Sequence, residues 1–396
     1  MKSQKLDAHQ IWEMHSHDWR DPLAASTLVN NASEIDPKLF QYETVGNFWP
    51  IIEQLGITLF VTREYEHLIM AFSVIDGKPR ISFYPLPHPS GIAFDTIQNR
   101  LYIASTRNPN QLFQFRAVGN LLPRLDVRSD LSTSYVNVKP MVPVSSQFFP
   151  GCTYLHELKF IGTKLYANAV GHNAVVCIEP NDEYHRVWWP KCIEDNGKPD
   201  FEQNYIQLNS IASGSSLETS SFTASTDRKS VRRPGHKNFK VDKQGVVFSG
   251  ETRQVIAGGL TRPHSARLYQ GKVWVDNSGY GEVGYIENHK YHPYIKLPGW
   301  TRGLYFKENI AFVGTSRVLP RFRQYAPGLE VDTSVCGIHT IDMSTKKIIG
   351  SITWPFGNQI FDFETVHSSY STGFPTQVGS KRAIAKEKDL YYSFNI

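Results

Sequence analysis

Three short stretches of the chain are dense in groups that bind anions or move protons. They are Arg262-Pro263-His264-Ser265-Ala266-Arg267, Asp276-Asn277-Ser278-Gly279-Tyr280-Gly281-Glu282 and Pro298-Gly299-Trp300-Thr301-Arg302-Gly303. A neutral histidine near a carboxylate can act as a general base or a metal ligand. His264, His156 and Glu282 are therefore the candidate catalytic groups, with Gly279 and Gly281 giving the tight turns that would aim Glu282 inward. Arg302 and Arg317 offer planar forks suited to a carboxylate or phosphate. Asn209, Asn277, Arg267 and Asp362 complete a polar substrate-binding set, and Tyr280 and Trp300 can stack on a substrate ring. Plainer readings stand beside these: histidines bonded to backbone, arginines paired with Asp362 or Glu282 as scaffold, and aromatics belonging to the core.

A divalent metal is the one cofactor such residues suggest. His156 and His264 with Glu282 or Asp362 would suit Zn²⁺ or Fe²⁺, while Asn209, Asn277 and Asp362 would suit Ca²⁺. No glycine-rich phosphate or dinucleotide fingerprint lies in a strand–helix context, so no nucleotide cofactor is expected. Lyase, hydrolase or isomerase chemistry then fits better than oxidoreduction.

Residues so far apart in sequence need a fold that returns the chain repeatedly to one place. Helical periodicity is confined to Phe48–Leu55, and short runs of Val, Ile, Phe, Tyr and Thr between turn residues fill the remainder. Six segments resemble one another: 90–95, 156–160, 209–213, 264–269, 302–306 and 361–366. Most are followed by a polar turn and a more apolar strand, such as 100–106, 164–170, 221–226, 272–278 or 309–316, and then by third and fourth strands. Four strands per unit is a propeller blade. The last segment lacks a second strand, whereas the first pair, 56–64 and 66–75, lacks an inner one. The expectation is an all-β, six-bladed β-propeller whose C-terminal strand joins the N-terminal blade and closes the ring, which removes two sheet edges.

In such a ring, inner-strand starts and second-strand ends share one mouth of the central channel. That mouth collects Ser90, His156, Asn209, His264, Arg302 and Asp362 with Arg63, Glu64, Arg107, Asn168, Asp227, Asn277 and Arg317. Most units exceed the ~40–45 residues of a bare blade. The surplus marks insertions near 119–150, 191–205, 227–238 and 319–335, expected to gather around the polar mouth. Residues 1–44 read as an N-terminal extension, and 45–396 as one propeller domain.

The 396 residues, 40% apolar and with 23 Phe, 19 Tyr and 8 Trp, supply a large core and exclude a disordered or coiled-coil chain. A net charge of +5 spread along the chain gives no basic stripe, and the cluster Arg228, Lys229, Arg232 and Arg233 reads as a solvated loop, so no nucleic-acid partner is expected. Cys152, Cys177, Cys192 and Cys336 show neither paired nor zinc spacing and read as free thiols. With no apolar N-terminal segment or membrane-length run, a cytoplasmic protein with no membrane partner is the expectation.

The ordered series Pro263-His264-Ser265-x-Arg267, Asn277-Ser278-Gly279-x-Gly281-Glu282, Pro298-Gly299-x-x-Arg302-Gly303, Val313-Gly314-x-Ser316-Arg317 and Cys336-Gly337 resembles an uncharacterised bacterial family with a domain of unknown function. The resemblance spans about Val45 to Val366, with departures at Ala266, where the family tends to carry Pro, and at Gln359, where Glu is usual. More remotely, the architecture is similar to the gluconolactonase and strictosidine-synthase propellers, which implies polar residues or a metal at a channel mouth. The expected function is an enzyme acting on a small anionic metabolite at that mouth. The alternative is a non-catalytic propeller that binds a ligand or protein.

Overall fold

The protein's structure, a computed structural model, describes residues 35–107, 110–122, 138–180, 183–229, 234, 239–379 and 393–395. Six antiparallel sheets stand around a central channel, each with its inner strand on the axis. Blade 1 is built on the C-terminal strand Phe363–His367, which pairs with Ile57–Arg63 in the register Val61↔Phe363 to Ile57↔His367. Blades 2 to 6 begin with the inner strands Pro89–Asp95, Leu155–Ile161, Leu208–Ala212, Pro263–Tyr269 and Trp300–Lys307. Neighbouring inner strands touch in that order, and the last touches the first, so the chain ends close the ring without a covalent link. The short helix Phe48–Gln54 forms where the sequence shows its one helical period, and it buries Phe48, Ile51 and Ile52.

Apolar clusters fill the wedges between successive blades. Phe48, Phe72, Phe312 and Trp354 lock blade 6 to blade 1, and Trp188, Phe222 and Phe248 hold blade 3 to blade 4. Each such side chain removed from water contributes about 1.5–3 kcal/mol, so the wedges, not the channel, carry the hydrophobic stabilisation.

Five of the inner strands break register near their starts, between Pro89 and Ile92, Leu155 and Leu158, Leu208 and Ser210, His264 and Arg267, and Thr301 and Leu304. A bulge frees a backbone N–H from the ladder and breaks side-chain alternation. Side chains of the preceding blade take up several of these donors: Asp362 accepts from Ile92 N–H, Glu157 from Ile211 N–H, Ser210 from Ala266 N–H and Ser265 from Gly303 N–H. At Gly303, φ is +89° and an added Cβ would meet the Phe363 ring at 3.0 Å, so glycine is required there.

The surplus segments fall on both ends of the ring. Residues 319–335 form the 3₁₀ turns Pro320–Tyr325 and Val331–Thr333. Segment 191–205 carries a small hairpin, Glu194–Asp195 with Lys198–Pro199, and Lys229 ties it to the next insertion through Asp195 at 2.7 Å and Asp200 at 2.9 Å. Of 227–238, residues 230–233 and 235–238 lie outside the described residues, as do Arg232 and Arg233. The expectation for 119–150 needs correction. Met141–Phe149 is the outermost strand of blade 2, and the described residues just before it sit at the opposite end of the ring, where Val138 O accepts from Thr372 N–H; residues 123–137 lie outside the described residues. The physical reason is strand parity: a link from third to fourth strand returns at the far mouth. The N-terminal boundary also moves, because Glu43–Gly46 pairs with Lys347–Thr353 as a fifth strand of blade 6.

Candidate functional site

At the mouth where inner strands begin, a cavity of about 100 Å³ brings together His156, His264, Arg262, Arg302, Arg317 and Trp300. Asn209 and Glu64 also line it, with Phe322, Tyr325 and Leu319 from insertion 319–335 and Asn204 and Pro234 from the two insertions opposite. Bulge geometry explains why adjacent residues do different work: His156 faces the cavity, and Glu157 turns down into the channel to pair with Arg267.

His156 is held at both nitrogens. Its Nδ1–H donates to Asn209 O at 2.8 Å, and its Nε2 accepts from Arg302 Nη2 at 3.1 Å, which fixes one neutral tautomer. Burial lowers its pKa well below the ordinary value, and the Arg302 charge adds to the effect. With neither nitrogen free, His156 serves neither as base nor as metal ligand; it positions Arg302, whose guanidinium also lies 3.7 Å over the Phe361 ring.

His264 is different. Its Nδ1 bonds Ser265 Oγ at 3.0 Å, while its Nε2 is buried and has no partner. Burial first, then Arg302, His156, Arg262 and Arg267, keep the imidazole neutral at pH 7. This is the one histidine of the pair with a lone pair or proton to offer.

The arginines outnumber their counter-ions. Glu64 already accepts from Thr106 Oγ1 at 2.6 Å and pairs with Arg107 at 3.5 Å, leaving Arg302 at 4.0 Å from it. Burial pushes Arg302 down to about 10 and lowers Arg262 as well. Arg262 donates to Gln207 Oε1 and stacks on Tyr325 at 4.6 Å; Arg317 donates to Pro355 O at 2.6 Å. Neither has a carboxylate partner among the described residues. Trp300 and Phe322, 5.8 Å apart, and Phe322 and Tyr325, 5.7 Å apart, make an aromatic wall.

Other expected site residues lie elsewhere. Glu282 accepts from Asn277 Nδ2 at 3.0 Å, and Asn277 Oδ1 accepts from Thr261 N–H at 2.7 Å, so the pair braces the blade 5 turn outside the cavity. Gly281 at φ +67° caps the turn Ser278–Tyr280 just before the third strand, Glu282–Glu287, which lies away from the axis, and Glu282 is turned with it. Tyr280 bonds Asp242 at 3.0 Å and packs on Gly328, also off the cavity. Arg267 and Asp362 sit deeper, 2.5 Å apart, with Glu157 and Lys159 in a buried ionic cluster that plugs the channel. Part of the polar ring is thus architectural, since it satisfies bulge N–H groups and each other's charge.

The metal sets are corrected with them. His156 is fully committed, Glu282 is outside, Asp362 is held by Arg267, and no three His, Cys, Asp or Glu side chains among the described residues are grouped to hold an ion. A site crowded with arginines is also a poor host for a divalent cation. The residues do not fit a metal, and no step is derived through one.

Sequence reasoning undervalued Arg262, Glu64, Gln207 and the aromatics Tyr65, Phe322 and Tyr325. Arg262 was detectable as the residue before Pro263, at an inner-strand start; the aromatics on insertion 319–335 carried no repeat signal.

Solved structures with similar architecture include the nidogen/laminin complex, at 6% identity, TM-score 0.51, covering 79% of this chain and 99% of that one. A gluconolactonase from Xanthomonas campestris follows at 9% identity and TM-score 0.45, covering 77% and 87%. The streptogramin B lyase gives 13% identity and TM-score 0.39, covering 74% and 75%. At these identities the likeness concerns the fold alone. No curated protein sequence shows significant similarity to the chain. A family model does match, over residues 46–372, and by that match the chain belongs to the family of the domain of unknown function DUF4915.

Proposed function

We propose that the protein is an enzyme acting on a small organic anion bound in this cavity, by proton transfer of lyase or isomerase type. The observation that carries the reading is His264 Nε2, buried and unpartnered, in a wall it shares with Arg262, which has no carboxylate partner among the described residues, and Arg302, which meets Glu64 only at 4.0 Å. An anionic group held by the two guanidiniums places an adjacent C–H within reach of a neutral imidazole. The imidazole takes the proton, and the electron pair left on carbon delocalises toward oxygens held by arginine. Hydrolysis through a covalent intermediate fits less well: of the hydroxyls lining the cavity, Thr106 donates to Glu64 and Ser316 donates to Ile360 O at 3.1 Å. The polar set built from Asn209 then serves indirectly, since its carbonyl orients His156, which orients Arg302.

Free thiols at Cys152, Cys177, Cys192 and Cys336 support a reducing, cytoplasmic setting. Among the described residues no helix is long and apolar enough to cross a membrane.

The test is solvent-deuterium incorporation into a panel of small carboxylates, followed by proton NMR. Wild type should exchange the hydrogen next to the carboxylate of at least one compound. His264→Gln should lose 10²-fold or more of that rate at unchanged melting temperature, in line with the ~10²–10⁴-fold typical of general acid–base groups. Full activity in His264→Gln refutes the assignment. Tight binding with no exchange in wild type supports a non-catalytic binding propeller instead.

A further inference from the structure

Resting on the anion-binding reading above, we infer that the ligand is a short dicarboxylate bearing a hydroxyl group, held between two separate cationic poles. The first pole is Arg262 with Arg302, both lining the cavity, where the Arg262 charge disfavours the charge on Arg302. The second is Arg317, one residue beyond Ser316, which pairs with Trp300 across the blade 6 ladder. Arg317 is anchored apart from the first pole: its N–H donates to Asn358 O at 2.8 Å, and its Nη2 donates to Pro355 O. Trp300 thus adjoins both poles, paired with Ser316 beside Arg317 and two residues before Arg302.

The charge count favours two negative groups. Three arginines line the cavity, and its one carboxylate, Glu64, is already paired with Arg107. A single carboxylate at the first pole would leave Arg317 without a counter-ion in a partly desolvated wall, and the second carboxylate of a dianion would supply it.

Orphaned polar atoms specify the rest. Arg302 Nε, Trp300 Nε1 and Arg317 Nε are buried donors without acceptors, one at each pole and one on the aromatic wall. Ligand carboxylate oxygens would accept from all three. Gln359 Oε1 has the opposite need: it is buried with no donor, and its residue is 5% exposed. The wall around it is otherwise rich in donors, so a ligand hydroxyl is the group that satisfies it while accepting nothing essential. The aromatic wall of Trp300, Phe322 and Tyr325 then covers the carbon chain.

Isothermal titration of the full chain at low salt with butyrate, succinate and malate tests this. Succinate should bind at least 10-fold tighter than butyrate, and malate tighter than succinate. Arg317→Gln should bring succinate down to the butyrate level, and Gln359→Leu should bring malate down to the succinate level, with melting temperatures confirming that both variants fold. Butyrate binding as tightly as succinate, or an Arg317→Gln protein that keeps the full succinate preference, overturns the dicarboxylate inference and leaves the anion-binding reading standing. Failure of all three compounds to bind overturns both.

Discussion

Arg267→Met is the sharpest perturbation of the channel plug. In the folded protein Arg267 donates to Glu157 Oε1 and to Asp362 Oδ1, and it is about nine-tenths buried. Removing it leaves two buried carboxylates with backbone N–H donors and, as ion-pair partner, Lys159, at 3.9 Å from Glu157 and 3.8 Å from Asp362. Deleting one partner of a buried ionic pair costs ~3–5 kcal/mol, because the survivor keeps its desolvation without its counter-charge. The loss should depend on pH. Burial, the largest effect on Glu157, pushes it up to about 7, and Arg267 is the strongest influence holding it down. Without Arg267 its folded pKa rises further above the ordinary carboxylate value. A group with a raised folded pKa binds more protons folded than unfolded, so stability falls as pH climbs through that window. The variant's deficit is then greatest near pH 8 and shrinks toward pH 5; a roughly hundredfold gain in the carboxylate's proton affinity would recover about 3 kcal/mol at the acid end. Guanidinium unfolding of both proteins at pH 5, 6.5 and 8 measures this. A deficit below ~1 kcal/mol at pH 8, where ~3–5 kcal/mol is expected, or one equal at all three pH values, would refute the view that these charges are mutually compensated.

Two further outcomes probe the frame around the site. Ending the chain after Gly357 removes Phe363–His367 and with it the ladder to Ile57–Val61; calorimetry should show loss of the cooperative transition, and a wild-type melting temperature would contradict ring closure. His339, bonded to Thr315 at 3.0 Å and Ser351 at 2.9 Å, is pushed down to about 4 by burial. Its folded pKa lies below the ordinary 6.5, so the unfolded chain takes the proton first, and the stability it contributes is lost as pH falls from 6.5 toward 4. That amounts to about 3 kcal/mol. His339→Gln should flatten this part of the urea stability profile, and an unaltered slope would assign the acid sensitivity to other groups.

Much of the architecture was legible because blades repeat. Alternating apolar strands between turn residues recur at every blade, and the unpaired segment 361–366 revealed the closure through what it lacked. The mouth could be located by strand parity, and His156, Asn209, His264, Trp300, Arg302 and Arg317 do line its cavity. Legibility stopped at the bulges. A shift between His264 and Arg267, or Leu155 and Leu158, leaves no mark in residue type, yet it decides which neighbour faces the cavity and which the channel. Glu282 and Tyr280 were misplaced for a related reason, since Glu282 opens the third strand, a step away from the axis, and Tyr280 lies in the turn that leads into it.

The sequence by itself determined the strand order, the six-fold repetition and the stock of polar groups at one mouth, because these depend on local periodicity and chain parity. Tertiary structure alone decided which of those groups are free. His156 and His264 are alike in the sequence, each two residues or fewer from the start of an inner strand. In the fold, Arg302 and Asn209 occupy both nitrogens of one, and Nε2 of the other is left bare. A hydrogen-bond partner contributed by another blade is a property of closure, and no local pattern encodes it.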